Sequence, residues 1–160
     1  MPDWLAHVLF AYILCSVPGT KFTVFANKGN TALVMVGALI PDLVKIELGF
    51  DLLGIAVEDF IAPLHTPVGS FLSAGLIALL FTEGLMVFSL FVLGFTTHFA
   101  LDLLLGHVSG GMLLLFPVSW QEYQLGLIQS DNYWAALILL FLAIVTFVLQ
   151  NRGIGKQKAA

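Results

Sequence analysis

Charged side chains are scarce in this sequence of 160 residues. Only 10% of the positions are Asp, Glu, Lys or Arg, whereas 59% are apolar. A soluble domain has about 25% charged residues and about 45–50% apolar ones. The chain therefore lacks the polar side chains that would cover a water-facing surface, and it also lacks the composition of a disordered chain. The class that remains is an integral membrane protein that consists of little more than its spans.

Other shortages narrow the range of functions. Six basic residues stand against ten acidic ones and form no basic patch, so nucleic acid is not an expected partner. The single cysteine, Cys15, cannot form an internal disulfide and is expected to fill the core as a small apolar residue. The first residues, MPDWLAH, place Asp3 where a signal peptide would need positive charge, so this end is expected to remain as a membrane segment.

Five apolar stretches are candidates for membrane spans, which need about 20 residues each. They lie at residues 4–17, 30–48, 61–81, 84–105 and 132–150. The first is short and would either span or insert halfway. The third is expected to begin its helix near Pro67, because proline is tolerated at a helix start. The predicted fold class is thus an all-α, polytopic membrane helix bundle with about five transmembrane helices, forming a single domain over residues 1–160.

The loop charges predict an orientation. Lys21 and Lys28 lie in the loop between the first two spans, and the C-terminal tail is also basic, whereas the loops after the second and fourth spans are acidic. Short loops with an excess of Lys and Arg usually lie on the cytoplasmic side of the membrane. Five spans place the basic loop and the basic tail on the same side, so the N-terminus is expected outside and the C-terminus inside.

Ionisable residues at membrane depth are costly and usually mark a function. The chain has four histidines in or beside apolar segments, and two aspartates lie within the predicted spans. These six residues are His7, Asp42, His65, His98, Asp102 and His107. The predicted topology places all six near the outer interface, although none of them was used to derive it. The sequence therefore predicts that they share one site.

His98 and Asp102 are four positions apart, so on a helix both side chains occupy one face. Nitrogen and carboxylate donors together suit a divalent ion, with zinc as the expected ion and manganese or magnesium as alternatives. Pro41 disturbs the helix beside Asp42, and the LHTPVGS segment is expected to hold His65 in extended backbone ahead of a proline. All six residues are candidate ligands for one or two ions, and the two aspartates are also candidate catalytic groups.

Simpler interpretations stand beside the metal site. His7 could make a hydrogen bond between helices, and His107 could be a loop residue without a ligand role. Asp42 could pair with Lys45, three residues along. His98 and Asp102 could form a buried hydrogen-bonded pair without any metal.

The motifs resemble a known family. An N-terminal histidine, GALIPDL, LHTPVGS, THFALDLLLGH and FPVSW occur in this order between His7 and Trp120. This combination resembles the bacterial and archaeal family of inner-membrane metal-dependent hydrolases. The resemblance implies a metal-site core over residues 1–120 and leaves the predicted span at 132–150 outside it. It also implies an inner-membrane location, and the topology predicted from the loop charges places the active site on the outer side.

The ligand order is also similar to that of zinc-dependent phospholipase C and the fungal single-strand nucleases. That similarity implies a site made of Asp42, His65, His98 and Asp102, with Asp102 bridging to a second ion that His7 also holds. His107 would begin a further site. Those enzymes have downstream His and Glu ligands, whereas no histidine follows His107 here and Glu122 is the available substitute.

These observations predict a membrane-embedded hydrolase of a lipid phosphoric ester, with membrane lipid as both environment and substrate. The competing hypotheses are a small metal-ion or proton transporter, which would need polar groups at several depths, and a purely structural metal site. The sequence does not specify an oligomeric state.

Overall fold

The computed structural model describes residues 4–17, 23–57, 61–106, 111–129 and 133–157. This part of the chain contains seven α-helices, which are α1 (Trp4–Ser16), α2 (Thr23–Ala26), α3 (Lys28–Gly37), α4 (Glu47–Asp51), α5 (Pro67–Ala78), α6 (Gly84–Leu104) and α7 (Tyr133–Gln157). Two 3₁₀ segments, Pro41–Ile46 and Ala62–His65, precede α4 and α5. Two-residue strands β1 (Leu105–Gly106) and β2 (Ile128–Gln129) pair in parallel. The predicted all-α class is confirmed.

Two helices are long and apolar enough to cross a membrane. They are α6, over Gly84–Leu104, and the Tyr133–Asn151 part of α7. The α1 and α5 helices have 13 and 12 residues, which is shorter than a full span of about 20. Residues 30–48, predicted as one span, are divided among α3, a 3₁₀ segment and the start of α4. The five-span count and the orientation therefore stay predictions.

Pro41 explains why the second predicted span is divided. Proline has no N–H to donate, and in a continuing α-helix its ring would clash with the carbonyl of Gly37, four residues earlier. The backbone instead adopts 3₁₀-type hydrogen bonds between residues three apart. Leu39 N donates to Val36 O at 2.9 Å, and Ile40 N donates to Gly37 O at 3.2 Å. The change of direction brings Asp42 into the buried interior, where it is 4% exposed.

The start of α5 confirms one expectation and corrects another. The helix begins at Pro67, as predicted. The extended residue is Thr66 (φ −122°, ψ 156°), whereas His65 is the last residue of a 3₁₀ segment, so the predicted extended backbone at His65 is wrong. The steric restriction falls on the residue directly before proline. Thr66 Oγ1 accepts a hydrogen bond from Gly69 N at 3.1 Å and thereby caps α5.

Two glycines let α3 and α6 approach each other at backbone distance. A Cβ atom added to Gly37 would lie 2.7 Å from Phe91 Cα, and one added to Gly94 would lie 2.7 Å from Ala38 N. Any larger residue at either position would push the helices apart. This contact places the end of α3 against the middle of α6, one helical turn before His98.

The core lies on both sides of this contact. Phe91, Phe95 and Phe99 of α6 pack with Ile40 and with alanines of α5. On the other side Cys15 is 2% exposed among Ala11 and Val34, so its predicted place in the core is confirmed. The α7 helix packs on α1 and α6 through Ala136 and Leu139. The rest of its apolar surface is largely open, since only 6% of the Tyr133–Asn151 window is buried.

Replacing Gly94 by alanine is expected to destabilise the protein, although alanine is normally the better helix former by about 1 kcal/mol. The added methyl group meets the backbone of α3, and overpacking of this kind costs about 1–3 kcal/mol. Unfolding by sodium dodecyl sulfate in detergent micelles measures the change. The matched control is Gly49→Ala in α4, where an added Cβ meets no atom within 4 Å. Equal stability of the two variants would contradict the close contact.

Candidate metal centre

Five of the six predicted site residues meet beside the C-terminal part of α6. His98 and Asp102 come from α6, His7 from α1, and Asp42 and His65 from the two 3₁₀ segments. We refer to these five residues as the His/Asp cluster. Their predicted proximity is confirmed, whereas their roles as ligands and catalytic groups stay predictions. The sixth residue, His107, lies outside the described residues.

The carboxylate of Asp102 lies at the centre of the His/Asp cluster. Its Oδ2 atom is 3.1 Å from His98 Nε2 and 3.3 Å from His65 Nε2. Its Oδ1 atom is 3.3 Å from His7 Nε2. The spacing of four residues between His98 and Asp102 brings both onto one helix face, as predicted. Three imidazoles from three separate segments thus converge on one carboxylate.

Asp42 makes two contacts at once. Its Oδ2 atom accepts a hydrogen bond from Lys45 Nζ at 2.6 Å, and its Oδ1 atom lies 4.0 Å from His65 Nε2. The sequence left open whether Asp42 pairs with Lys45 or faces the cluster. In the structure Asp42 does both. The Lys45 ammonium is also 5.7 Å from the centre of the Trp4 ring. Lys45 therefore fixes the carboxylate with one oxygen directed toward His65.

The ring of His98 is held in one orientation and one tautomer. Its Nδ1 atom is 2.8 Å from the carbonyl oxygen of Ala38, and a carbonyl can only accept, so Nδ1 carries the proton. The ring also stacks on His7, with 3.7 Å between centroids and 17° between planes. In the neutral ring Nε2 then has a free lone pair. That lone pair faces Asp102 Oδ2 and, at 3.2 Å, His65 Nε2.

Most of the cluster is shielded from solvent. His7, His98 and Asp102 are at most 2% exposed, while the His65 side chain is 27% exposed. Burial of a carboxylate without a compensating positive charge is very costly. A lone pair of His98 only 3.1 Å from a carboxylate oxygen is likewise unfavourable unless positive charge lies between the two atoms. A metal ion supplies that charge, and a proton that converts a ring into imidazolium is the simpler alternative.

The donor set fits a divalent ion. Two overlapping groups, His7 with His98 and Asp102, and Asp42 with His65 and His98, each offer three donor atoms within 4.8 Å of one another. Imidazole nitrogen together with carboxylate oxygen is the donor mixture found in zinc sites, and it also accepts manganese. The carbonyl of Ala38 behind His98 is the typical outer partner of a metal-binding histidine. The buried His/Asp groups could therefore hold a metal ion, whose identity stays open.

One feature of the site was not predicted from the sequence. The Ala38 carbonyl orients His98, yet a backbone acceptor 60 positions away leaves no signal of its own. The only related signal is Pro41, which ends the regular helix just beyond Ala38. Glu122, considered as a substitute ligand, accepts a hydrogen bond from Gly111 N at 2.9 Å and is in neither donor group.

No family model, curated protein or solved structure matches this chain. The resemblance to inner-membrane metal-dependent hydrolases therefore depends on the order of the motifs alone.

Loss of the central donors is expected to abolish metal binding. The purified wild-type chain should contain a divalent ion, whereas Asp102→Ala and His98→Ala should contain none above background. Elemental analysis by inductively coupled plasma mass spectrometry measures the content. Thr97→Val is a matched control, since Thr97 is a buried neighbour of His98 whose hydroxyl donates a hydrogen bond to Gly94 O of its own helix. Metal retained in both cluster variants would remove the proposed site.

Proposed function

We propose that the chain is a membrane-embedded, metal-dependent hydrolase that cleaves a phosphoric ester of a lipid at the outer membrane surface. The observation that carries the proposal is the His/Asp cluster itself. Three histidines and two aspartates from four separate segments lie together, and the ring of His98 is already oriented with its lone pair toward the other donors. Such preorganisation at high burial is typical of a metal centre with a function.

The surface of the helices supports the membrane part of the proposal. The Tyr133–Asn151 part of α7 is apolar along its length and only 6% buried, so water is a poor environment for it. Leu79, Leu80 and Leu85, near the turn between α5 and α6, are at least 80% exposed. We propose five membrane-inserted segments, with the N-terminus outside and the C-terminus inside. On that topology the cluster lies near the outer surface of a bacterial or archaeal inner membrane.

The residues of the cluster divide the chemical tasks between them. A bound divalent ion would lower the pKa of a coordinated water and neutralise phosphate oxygens. Asp42 and Asp102 are the proposed catalytic groups, because a carboxylate oxygen can orient an attacking water and accept its proton. Lys45 keeps Asp42 in place through the 2.6 Å hydrogen bond. His65 is the most exposed member of the cluster and marks the side from which a lipid headgroup would approach.

The distribution of polar groups favours hydrolysis over ion transport. Within the described residues, every buried ionisable side chain other than Cys15 belongs to the cluster. The buried Asn30, Thr31, Ser70 and Thr97 side chains each bond to a nearby backbone carbonyl and line no chain of ionisable groups. A transport pathway needs ionisable or polar side chains at several depths of the membrane. One compact cluster fits a catalytic site better.

Hydrolysis can be tested on the purified chain reconstituted in liposomes. With zinc or manganese present, the wild type should release a labelled headgroup or phosphate from phospholipid. Asp42→Asn should reduce the rate by about 10²-fold or more if its carboxylate accepts the proton. A chelator added outside should stop the reaction, and Asp51→Asn in exposed α4 is the matched control. Metal flux into the liposomes without hydrolysis of any phosphoester would favour the transporter, and unfolding on chelation would favour a structural ion.

A further inference from the structure

We infer that the His/Asp cluster is a single-ion site and that His7 positions Asp102 without binding the ion. The inference rests on the metal site of the proposed function, but not on the reaction. It differs from the two-ion arrangement that the similarity to zinc-dependent phospholipase C implies, in which His7 is a ligand and Asp102 bridges two ions. Three observations within the described residues carry it.

The first observation is that the two possible donor groups share a single lone pair. Both groups include His98, and both need its Nε2 atom, because Nδ1 donates its proton to Ala38 O. One nitrogen lone pair cannot bind two ions. Once an ion between Asp42 and His65 takes Nε2, a second ion near His7 would find only His7 and Asp102 Oδ1 among the described side chains. Two donors are fewer than the three that protein sites for such ions usually supply.

The second observation concerns the proton on His7. If His7 bound an ion through Nε2, its neutral ring would carry the proton on Nδ1. The Nδ1 atom is buried and has no hydrogen-bond partner in the described part of the chain, so this N–H group would be left unsatisfied. An unsatisfied buried donor is costly. With the proton on Nε2 instead, the N–H group lies beside the Asp102 carboxylate, with Nε2 3.3 Å from Oδ1, and this contact is electrostatically favourable although it lacks hydrogen-bond geometry.

The third observation is the contact between Asp42 and Lys45. The ammonium of Lys45 lies 2.6 Å from Asp42 Oδ2 and occupies the oxygen that a bridging carboxylate would offer to a second ion. Its positive charge also opposes a second divalent ion nearby. Asp42 can therefore offer one oxygen, Oδ1, to one ion. The ion is expected to face His65, His98, Asp102 and Asp42, with two imidazoles in direct contact.

His7 then acts as an outer partner, which is a residue that orients metal ligands without binding the ion itself. Its Nε2 atom lies 3.3 Å from Asp102 Oδ1, and its ring stacks on His98 with 3.7 Å between centroids, so it is packed against two of the expected ligands. Outer partners of this kind typically change metal affinity by about 10–100-fold when they are removed. His7 is therefore a positioning residue, and its removal should weaken binding without changing the number of imidazole ligands.

X-ray absorption spectroscopy on the zinc-loaded full-length chain tests the inference, together with metal content per chain. The wild type should contain one zinc with two imidazole ligands. His7→Gln, whose amide can still donate to Asp102, and His7→Ala should keep two imidazoles, and His7→Ala should bind zinc about 10–100-fold more weakly. His65→Ala, the comparison variant, should lower the count to one imidazole or lose the ion. Elution as a single species in detergent identifies the variants that remain folded.

The outcomes separate this inference from the proposed function. Two zinc ions per chain, or a count that falls from three imidazoles to two in His7→Ala or His7→Gln, would overturn the single-ion arrangement even if the chain hydrolyses phospholipid. One zinc with two imidazoles and no hydrolysis of any phosphoester would support the arrangement and overturn the reaction. A folded wild type that binds no divalent ion would overturn both.

Discussion

The burial of the Asp102 carboxylate is the constraint to which the rest of the site responds. This group is 2% exposed and lies within a bundle whose other interior side chains are mostly apolar. A negative charge there is tolerable only when positive charge or strong donors surround it. Three histidines from three segments converge on its two oxygens. Their arrangement either stabilises an imidazolium or provides lone pairs to a metal ion, and the proton on His98 Nδ1 is compatible with both.

The packing of the helices and the chemistry of the site share one contact. Gly37 and Gly94 let α3 and α6 approach at backbone distance, and Pro41 ends the regular helix just beyond Ala38. Together these features bring the Ala38 carbonyl within 2.8 Å of His98 Nδ1. A change that separates the two helices would also release the ring. The glycines and the proline, which look like ordinary packing residues, therefore affect the geometry of the His/Asp cluster without contacting Asp102.

Short-range rules predicted a good part of this structure. The all-α class, the helix start at Pro67 and the shared face of His98 and Asp102 follow from composition, proline chemistry and a spacing of four. The convergence of His7, Asp42 and His65 was predicted from a topology that places all three near the outer interface, together with the cost of isolated charges in lipid. The rest depends on long-range packing. Neither the Ala38 acceptor nor the division of residues 30–48 among three elements follows from local pattern alone.

The uneven exposure of the donors bears on how an ion enters and leaves. His65 is 27% exposed, whereas His7, His98 and Asp102 are almost fully covered by surrounding helices. Exchange would have to start at His65, since His98 and Asp102 could not leave the ion without movement of α6. Release would then be slow compared with an open surface site, and an ion acquired during biosynthesis would persist through dilution. An equilibrium affinity would then give too short an estimate of the residence time of the ion.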